Sequence, residues 1–235
     1  MVTLTYQERF RTIKGVFDEF TNRTLFTLQS KGIFDELVGP LSVGKESNVF
    51  IALQGDDKVI VKIYRVQNCD FNTMYDYIRK DPRYDFLRRK RRDIILAWAQ
   101  REYKNLLKAA KSNVRVPKAL GWKNHIIVEE FIGDEEAAPP LKDAHPENPE
   151  EFFVDVINQM RKMYQNGLIH GDLSSFNILN YNGKAVLIDF SQATLTKTPN
   201  SDELLERDIK NIVHFFKKFG INAKVGEVLK KIIKI

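Results

Sequence analysis

Between residues 6 and 30 the apolar positions Phe10, Ile13, Phe17, Phe20, Phe26 and Leu28 recur mostly every three or four residues. That spacing predicts an amphipathic helical region with a core-facing stripe. A polar turn at Thr21-Asn22-Arg23-Thr24 interrupts it, and Lys31-Gly32 closes it. The period then changes. Val49-Phe50-Ile51-Ala52-Leu53 and Lys58-Val59-Ile60-Val61-Lys62-Ile63-Tyr64 are β-branched and aromatic runs around Gly55-Asp56-Asp57, which predicts an antiparallel hairpin. Residues 66–111 are charged and mostly helical, with a break at Asp81-Pro82-Arg83. From Asp93 to Ala110 a better helix carries Ile94, Ile95, Trp98, Leu106 and Leu107 on its apolar face, with Glu102 among them. Strand character returns over Lys118–Trp122 and His125–Gly133. Residues 134–150 are acidic and proline-rich, and read as an exposed linker. Phe152 to Gln165 is helical, with Phe153, Val156, Ile157, Met160 and Tyr164 as its buried stripe, and Asn166-Gly167 ends it through a left-handed C-cap. Phe176–Tyr181 and Lys184–Asp189 read as strands about the hairpin turn Asn182-Gly183. A helix from Ser201 to Phe219 and a short terminal helix follow.

This order predicts an α+β chain in two lobes. A helical region, 1–32, precedes a small antiparallel-sheet lobe with one main helix, 33–133, which carries a charged insert at 66–92. The linker 134–150 leads to a mostly helical lobe, 151–235. Internal repeats are absent. At 43% hydrophobic residues the chain can bury a substantial core. No apolar run approaches 18 residues, so no membrane span is expected. The N-terminus is polar and acid-containing, unlike a secretory signal. The single cysteine, Cys69, excludes an internal disulfide framework and fits a reducing, cytoplasmic compartment. A net charge of +6 is compatible with a polyanionic partner and does not identify one. The block Arg88-Arg92 reads as a solvated helix face before it reads as an RNA contact.

Chemistry concentrates at the second hairpin. Folding at Asn182-Gly183 brings Asn177 near Asp189, with Asp172 a few residues upstream. Two carboxylates and an amide suit a hard cation such as magnesium, plus a base. A nucleotide triphosphate at such a site needs further parts, and the chain offers them. Lys62 sits among apolar residues in a strand and calls for a partner; Glu102 is a candidate. The loop Ser42–Asn48 offers backbone N–H groups, Lys45 and Ser47 to phosphates. Gly39 to Ser47 nearly matches a Walker A loop, but Glu46 takes the hydroxyl position and a strand follows where that motif needs a helix. A phosphate-covering turn between strands is the better reading. Val128–Ile132 is an extended segment that can present backbone groups to a base.

In this order the parts resemble the protein kinases. Lys62 matches the lysine of V-A-I-K, and Glu102 the helix glutamate. His170-Gly171-Asp172-Leu173 with Asn177 matches H-R-D-L-x-x-x-N, with Gly171 for Arg. Ile188-Asp189-Phe190-Ser191 matches D-F-G, with Ser191 for Gly. No G-x-G-x-x-G and no A-P-E is present, so the activation segment and peptide-substrate subdomain look absent. These departures resemble the RIO kinases, and within them the Rio1 branch in its archaeal form. The resemblance is carried by Ser42–Val49, Ile63-Tyr64-Arg65, Trp98–Tyr103, Glu130–Gly133, His170–Ser174, Ile188–Gln192 and Glu206-Arg207-Asp208. It spans about residues 12–220.

The resemblance implies ATP and Mg2+ as cofactors, with Mn2+ as a substitute. It implies that Asp172 positions or deprotonates the attacking group and that Asn177 and Asp189 hold the metal. Lys62, fixed by Glu102, would neutralise phosphates, while Ser42, Lys45, Ser47 and Asn48 line the covering loop. Backbone groups of Glu130 and Ile132 would take the adenine edge. It further implies that Asp189 can accept the phosphoryl group as an aspartyl-phosphate. The setting it implies is the maturing small ribosomal subunit, with its rRNA and ribosomal proteins, and neither DNA nor a membrane. Two other classes share part of the pattern. One is a small-molecule phosphotransferase of the aminoglycoside or choline type. The other is an RNA-binding scaffold with a vestigial nucleotide site.

Overall fold

The first amphipathic stripe folds as helix α1, Glu19–Ser30. The computed structural model describes residues 16–66 and 69–234, so Phe10 and Ile13 lie outside the described residues. The helix runs straight through the turn expected at Thr21–Thr24. Asp18 caps it, its side chain accepting from Thr21 N at 2.7 Å. Thr24 and Thr27 turn their hydroxyls back onto the carbonyls of Phe20 and Arg23, each at 2.8 Å. The buried face is therefore Thr21, Thr24, Leu25 and Leu28, and Phe26 is left 70% exposed.

Chain contacts define two units, each described by itself. The first holds the described residues up to Arg79 together with Tyr84–Tyr103 and Ala119–Phe131. Its centre is an antiparallel sheet in the order β1-β2-β3-β5-β4. The strands are β1 (Glu36–Val43), β2 (Ser47–Gln54), β3 (Asp57–Tyr64), β4 (Ala119–Lys123) and β5 (Ile126–Glu130). The β2–β3 hairpin keeps an unbroken register from Ser47 opposite Tyr64 to Gln54 opposite Asp57. β1 supplies the strand ahead of the covering turn, a strand that no periodic run marked. It is an irregular edge strand, mostly exposed, with register shifts around Gly39-Pro40, so it carries no alternation to read.

β3 is buried from Val59 to Tyr64 because both faces of the sheet are covered. Val59, Val61 and Ile63 share one core with Phe50, Ala52, Ile126, Val128 and Leu25 and Leu28 of α1. Tyr64 and Ile127 share the other with Met74 and Ile78 of helix α2 (Phe71–Ile78) and with Ile94, Ile95 and Trp98 of helix α3 (Arg91–Lys111). Strand alternation puts Lys62 on this second face.

The second unit holds Lys80–Arg83, Lys104–Lys118 and the chain from Ile132 onward. Its first long helix, α4, runs Pro149–Gln165 and starts ahead of the expected Phe152. Asn148 caps Glu151 N, and Pro149 enters the first turn, where its missing N–H costs nothing. The buried stripe is Phe152, Val156, Ile157, Met160 and Met163, so Phe153 and Tyr164 move to half-buried flanks. Two short ladders follow. β6 (Leu168–Ile169) pairs with β9 (Thr194–Leu195), and β7 (Ile178–Tyr181) pairs with β8 (Lys184–Leu187). Asn182 and Gly183 take φ of 50° and 72°, as the two-residue turn requires. Helices α5 (Ser201–Lys217) and α6 (Val225–Ile233) complete the unit.

Residues 134–150 are mostly exposed, but the segment is docked rather than loose. Leu141 is fully buried, and its N–H donates to Ile178 O at 2.8 Å. Lys142 N donates to Ser175 O, and Pro139 O accepts from Asn180 N. A proline keeps its carbonyl as an acceptor, and these carbonyls and flanking amides dock the segment beside β7.

Candidate functional site

In the first unit, Lys62 donates to Glu102 Oε1 at 2.7 Å, and both side chains are nearly inaccessible. The pair follows from two periodicities: alternation in β3 aims Lys62 at α3, and the α3 face that buries Ile95 and Trp98 also presents Glu102. Tyr64, two residues on and so on the same face, donates its hydroxyl to Glu102 Oε2. Its ring lies 5.3 Å from the Lys62 ammonium. One carboxylate thus holds an ammonium and a phenol. A buried charge pair is tolerable only when its remaining lone pairs are satisfied, and Tyr64 does that here.

The covering turn is tighter than the span Ser42–Asn48 implied. Ser42 belongs to β1, Ser47 and Asn48 to β2, and the turn proper is Gly44-Lys45-Glu46. Gly44 N donates to Ser47 O at 2.9 Å. Ser42 and Lys45 are exposed. Asn48 is not: it is fully buried, and its Oδ1 accepts from Arg65 Nη2 at 3.0 Å. Its side chain braces the strand behind the turn and does not line it. Glu130 ends β5. In the second unit, the Ile132 carbonyl accepts from Ala138 N at 2.8 Å.

The second unit brings Asp172, Asn177 and Asp189 together. Asn177 donates from Nδ2 to the Asp172 carbonyl at 2.8 Å and lies 3.5 Å from Asp172 Oδ2. With its nitrogen engaged, the amide offers Oδ1 as its outward acceptor. Ile188 N donates to Asn177 O at 3.0 Å, which extends the β7–β8 ladder to the level of Asp189. Asp189 then leaves the strand in the left-handed region, φ 59°. Gln192 reaches back to donate to Asp172 Oδ2 at 3.3 Å. Burial raises the pKa of Asp172, and the charge of Asp189 raises it further; Arg207 and the Asn177 amide pull the other way.

The loop that carries Asp172 is held from beneath. Asp208 on α5 is buried, and it accepts from Gly171 N and Leu173 N, each at 2.8 Å. Arg207 donates to Gly171 O, and Asn211 to Leu173 O at 3.0 Å. Burial pushes the Asp208 carboxyl up to about 7, against the lowering effect of the two N–H groups and Arg207. His170 Nε2 lies 3.0 Å from Ile188 O, and since a carbonyl only accepts, that nitrogen carries the proton. Gly171 has φ 78°, and a Cβ there would stand 2.8 Å from Gln192 O. The glycine that replaces arginine in the H-R-D pattern is therefore required by the backbone.

Carboxylate and amide oxygens are hard donors, and residues of this chemistry fit Mg2+. The mutual repulsion of Asp172 and Asp189 is what a cation would relieve. Among the described residues no group of three or more His, Cys, Asp or Glu is placed to bind a metal. Sequence reasoning missed the roles of Tyr64, Gln192 and Asp208. The alternation that exposes Lys62 also finds Tyr64, whereas Asp208 had only its place in Glu206-Arg207-Asp208 as a signal.

Comparison with known proteins adds to this geometry. A family model described as RIO domain matches residues 48–228. The chain is 38% identical to the RIO-type serine/threonine-protein kinase Rio1 of Haloferax volcanii over 92% of its length and 75% of that protein. It is 38% identical to the Rio1 of Methanocaldococcus jannaschii over 97% of its length and 79% of that protein. It also resembles the solved Rio2 kinase–ADP/Mg2+–phosphoaspartate complex of Chaetomium thermophilum, with a TM-score of 0.70 at 20% identity. That match covers 91% of this chain and 66% of the other, and it shows a common fold.

Proposed function

The chain belongs to the RIO family of atypical serine/threonine kinases, and from that premise we propose a two-step phosphoryl transfer from ATP in which Asp189 is the first acceptor. The observation that carries it is the placement of Asp172 and Asp189, close enough for one charge to raise the pKa of the other, around an amide that offers oxygen. The Rio2 complex, described as holding ADP, Mg2+ and phosphoaspartate, supports the same reading.

Lys62, held by Glu102 and Tyr64, neutralises charge on the α- and β-phosphates. The turn Gly44-Lys45-Glu46 covers the phosphates with the backbone N–H groups of Lys45 and Glu46, assisted by the side chains of Ser42, Lys45 and Ser47. Glu130 O and Ile132 N receive the adenine edge. Asn177 and Asp189 are the ligands for Mg2+ or Mn2+, which supplies charge neutralisation at the phosphates. A carboxylate oxygen of Asp189 attacks the γ-phosphorus, the bond to the β–γ bridging oxygen breaks, and ADP leaves. Water or a serine or threonine hydroxyl then attacks the phosphorus of the acyl phosphate, the bond from phosphorus to the Asp189 oxygen breaks to return the free carboxylate, and the nucleophile's proton passes to Asp172. The raised pKa of Asp172 makes it a better proton acceptor than an ordinary carboxylate.

The cellular setting we propose is cytoplasmic maturation of the small ribosomal subunit. The net charge of +6 and the exposed Arg88–Arg92 block support a contact with rRNA. The family match favours this reading over a small-molecule phosphotransferase. The joint presence of Lys62, Glu102, Asp172, Asn177 and Asp189 favours it over a vestigial scaffold.

The experiment is incubation with γ-labelled ATP and Mg2+. Wild type should acquire label that is released by hydroxylamine, and Asp189→Asn should acquire none. Acid-stable label on Asp189→Asn would count against the aspartyl-phosphate. Full ATP turnover by Asp172→Ala would sink the kinase assignment itself. Small-subunit particles, tested beside a panel of small alcohols, should be what stimulates turnover.

A further inference from the structure

Asn105 lies on α3, one turn beyond Glu102, and is fully buried. Its amide is almost completely used. Nδ2 donates to Phe190 O at 3.1 Å and to Ala193 O at 2.6 Å, and Oδ1 accepts from Arg83 Nη1 at 2.9 Å. Arg83 is itself clamped on the buried Asp81, with Nε at 2.9 Å from Oδ1 and Nη2 at 2.6 Å from Oδ2. All of these residues belong to the second unit.

The two carbonyls that Asn105 holds bracket the turn Phe190–Ala193, which Ala193 N closes onto Phe190 O at 3.2 Å. Asp189 immediately precedes this turn at a left-handed φ of 59°, a conformation that non-glycine residues rarely adopt. Gln192 sits inside the turn and donates to Asp172. One amide therefore fixes the segment that aims Asp189 and the segment that touches Asp172. It also ties both to the Asp81-Pro82-Arg83 corner of the charged insert.

We propose that Asn105 is a positioning residue for the reaction, and that Arg83 of the charged insert acts through it to set the geometry of Asp189 toward magnesium. This rests on the reading of Asp189 as a metal ligand. A neutral amide is the group that fits. A carboxylate would face two carbonyls and repel them, and an apolar side chain would take the amide donor from Phe190 O and Ala193 O and the acceptor from Arg83 Nη1.

The test is calorimetric titration of the full chain with ADP, with and without Mg2+, beside urea unfolding. In wild type, Mg2+ should tighten ADP binding. In Asn105→Leu and Asn105→Asp that tightening should fall by about tenfold, the scale on which groups supporting metal ligands act, while metal-free ADP affinity stays within about twofold. A role confined to stability would lower the unfolding midpoint and leave the magnesium effect intact. Arg83→Gln should shift the magnesium effect the same way by about threefold. Arg83→Lys, which can still donate to Oδ1, should restore it. A folded Asn105→Leu with wild-type magnesium coupling overturns the proposal. If the Asn105 variants do not fold, wild-type coupling in Arg83→Gln overturns it. If Mg2+ has no effect on wild type, or the same effect on Asp189→Asn, the metal assignment of Asp189 fails first and this inference with it.

Discussion

Lys62 and Glu102 show how much one residue pair can decide. The pair is buried, so each charge depends on the other, and removing one leaves the second stranded at a cost of about 3–5 kcal/mol. Lys62→Met should therefore lower stability by that order in urea unfolding and abolish ATP turnover. Replacing both members by apolar residues, Lys62→Met with Glu102→Leu, removes the stranded charge and should recover most of the lost stability. Turnover should stay absent in the double variant. Recovery of turnover with stability would show that the pair serves folding alone.

Glycine positions separate backbone demands from packing demands at the scale of an element. Gly183 in the β7–β8 turn and Gly171 in the catalytic loop both have positive φ, 72° and 78°. Around Gly183 there is open space, whereas a Cβ at Gly171 would meet Gln192 O at 2.8 Å. Gly183→Ala should cost about 1–2 kcal/mol of stability and leave ATP turnover at the wild-type level. Gly171→Ala carries the same backbone cost and must also push the Gln192 turn away from Asp172. Its turnover should fall about a hundredfold, the effect of an ångström-scale misplacement. Equal turnover in the two variants would refute the contact between the two loops as a catalytic constraint.

Across the whole molecule, two buried titratable groups respond to pH in opposite directions. His125 in the first unit lies at the β4–β5 turn, 3.0 Å from the Thr21 hydroxyl and stacked on Phe20 of α1. Burial lowers its pKa to about 4; Asp18 opposes that and Arg92 adds to it. The unfolded chain takes up this proton near pH 6.5 and the folded chain near 4, so stability present above 6.5 is lost as pH falls toward 4. Asp208 in the second unit behaves inversely. Its folded pKa of about 7 exceeds the ordinary 3.8, so its contribution is fully present below 3.8 and is lost as pH rises through 7. Hydrogen exchange at pH 7.5 and pH 5, corrected for intrinsic rates, should show α1 and the β4–β5 turn losing protection on acidification. The loop Gly171–Leu173 and α5 should lose less or gain. His125→Gln should abolish the loss in α1 and the β4–β5 turn; a uniform loss in wild type, or an undiminished loss in His125→Gln, would decide against this assignment.

Much of the fold was legible in the sequence, and the same physics says where legibility stops. The β-branched and aromatic runs of β2 and β3 predicted the central hairpin and singled out Lys62, because a charged residue inside such a run needs a partner. Asn182-Gly183 fixed the second hairpin, because few dipeptides accept two positive φ values in a row. From that turn, the spacing of Asn177 and Asp189 followed. The edge strand β1 and the two-residue strands β6 and β9 left no periodic signal, since each is held by neighbours rather than by its own pattern. The packing of 134–150 was misjudged because prolines and acids describe composition, while docking depends on which carbonyls meet which amides. The same reason hid Asn105, Asp208 and Gln192. A buried polar residue is placed by partners distant in sequence, as Asn105 is by Phe190, Ala193 and Arg83. Local sequence sets periodicity and turns; only the tertiary structure decides which long-range donors and acceptors close on one another.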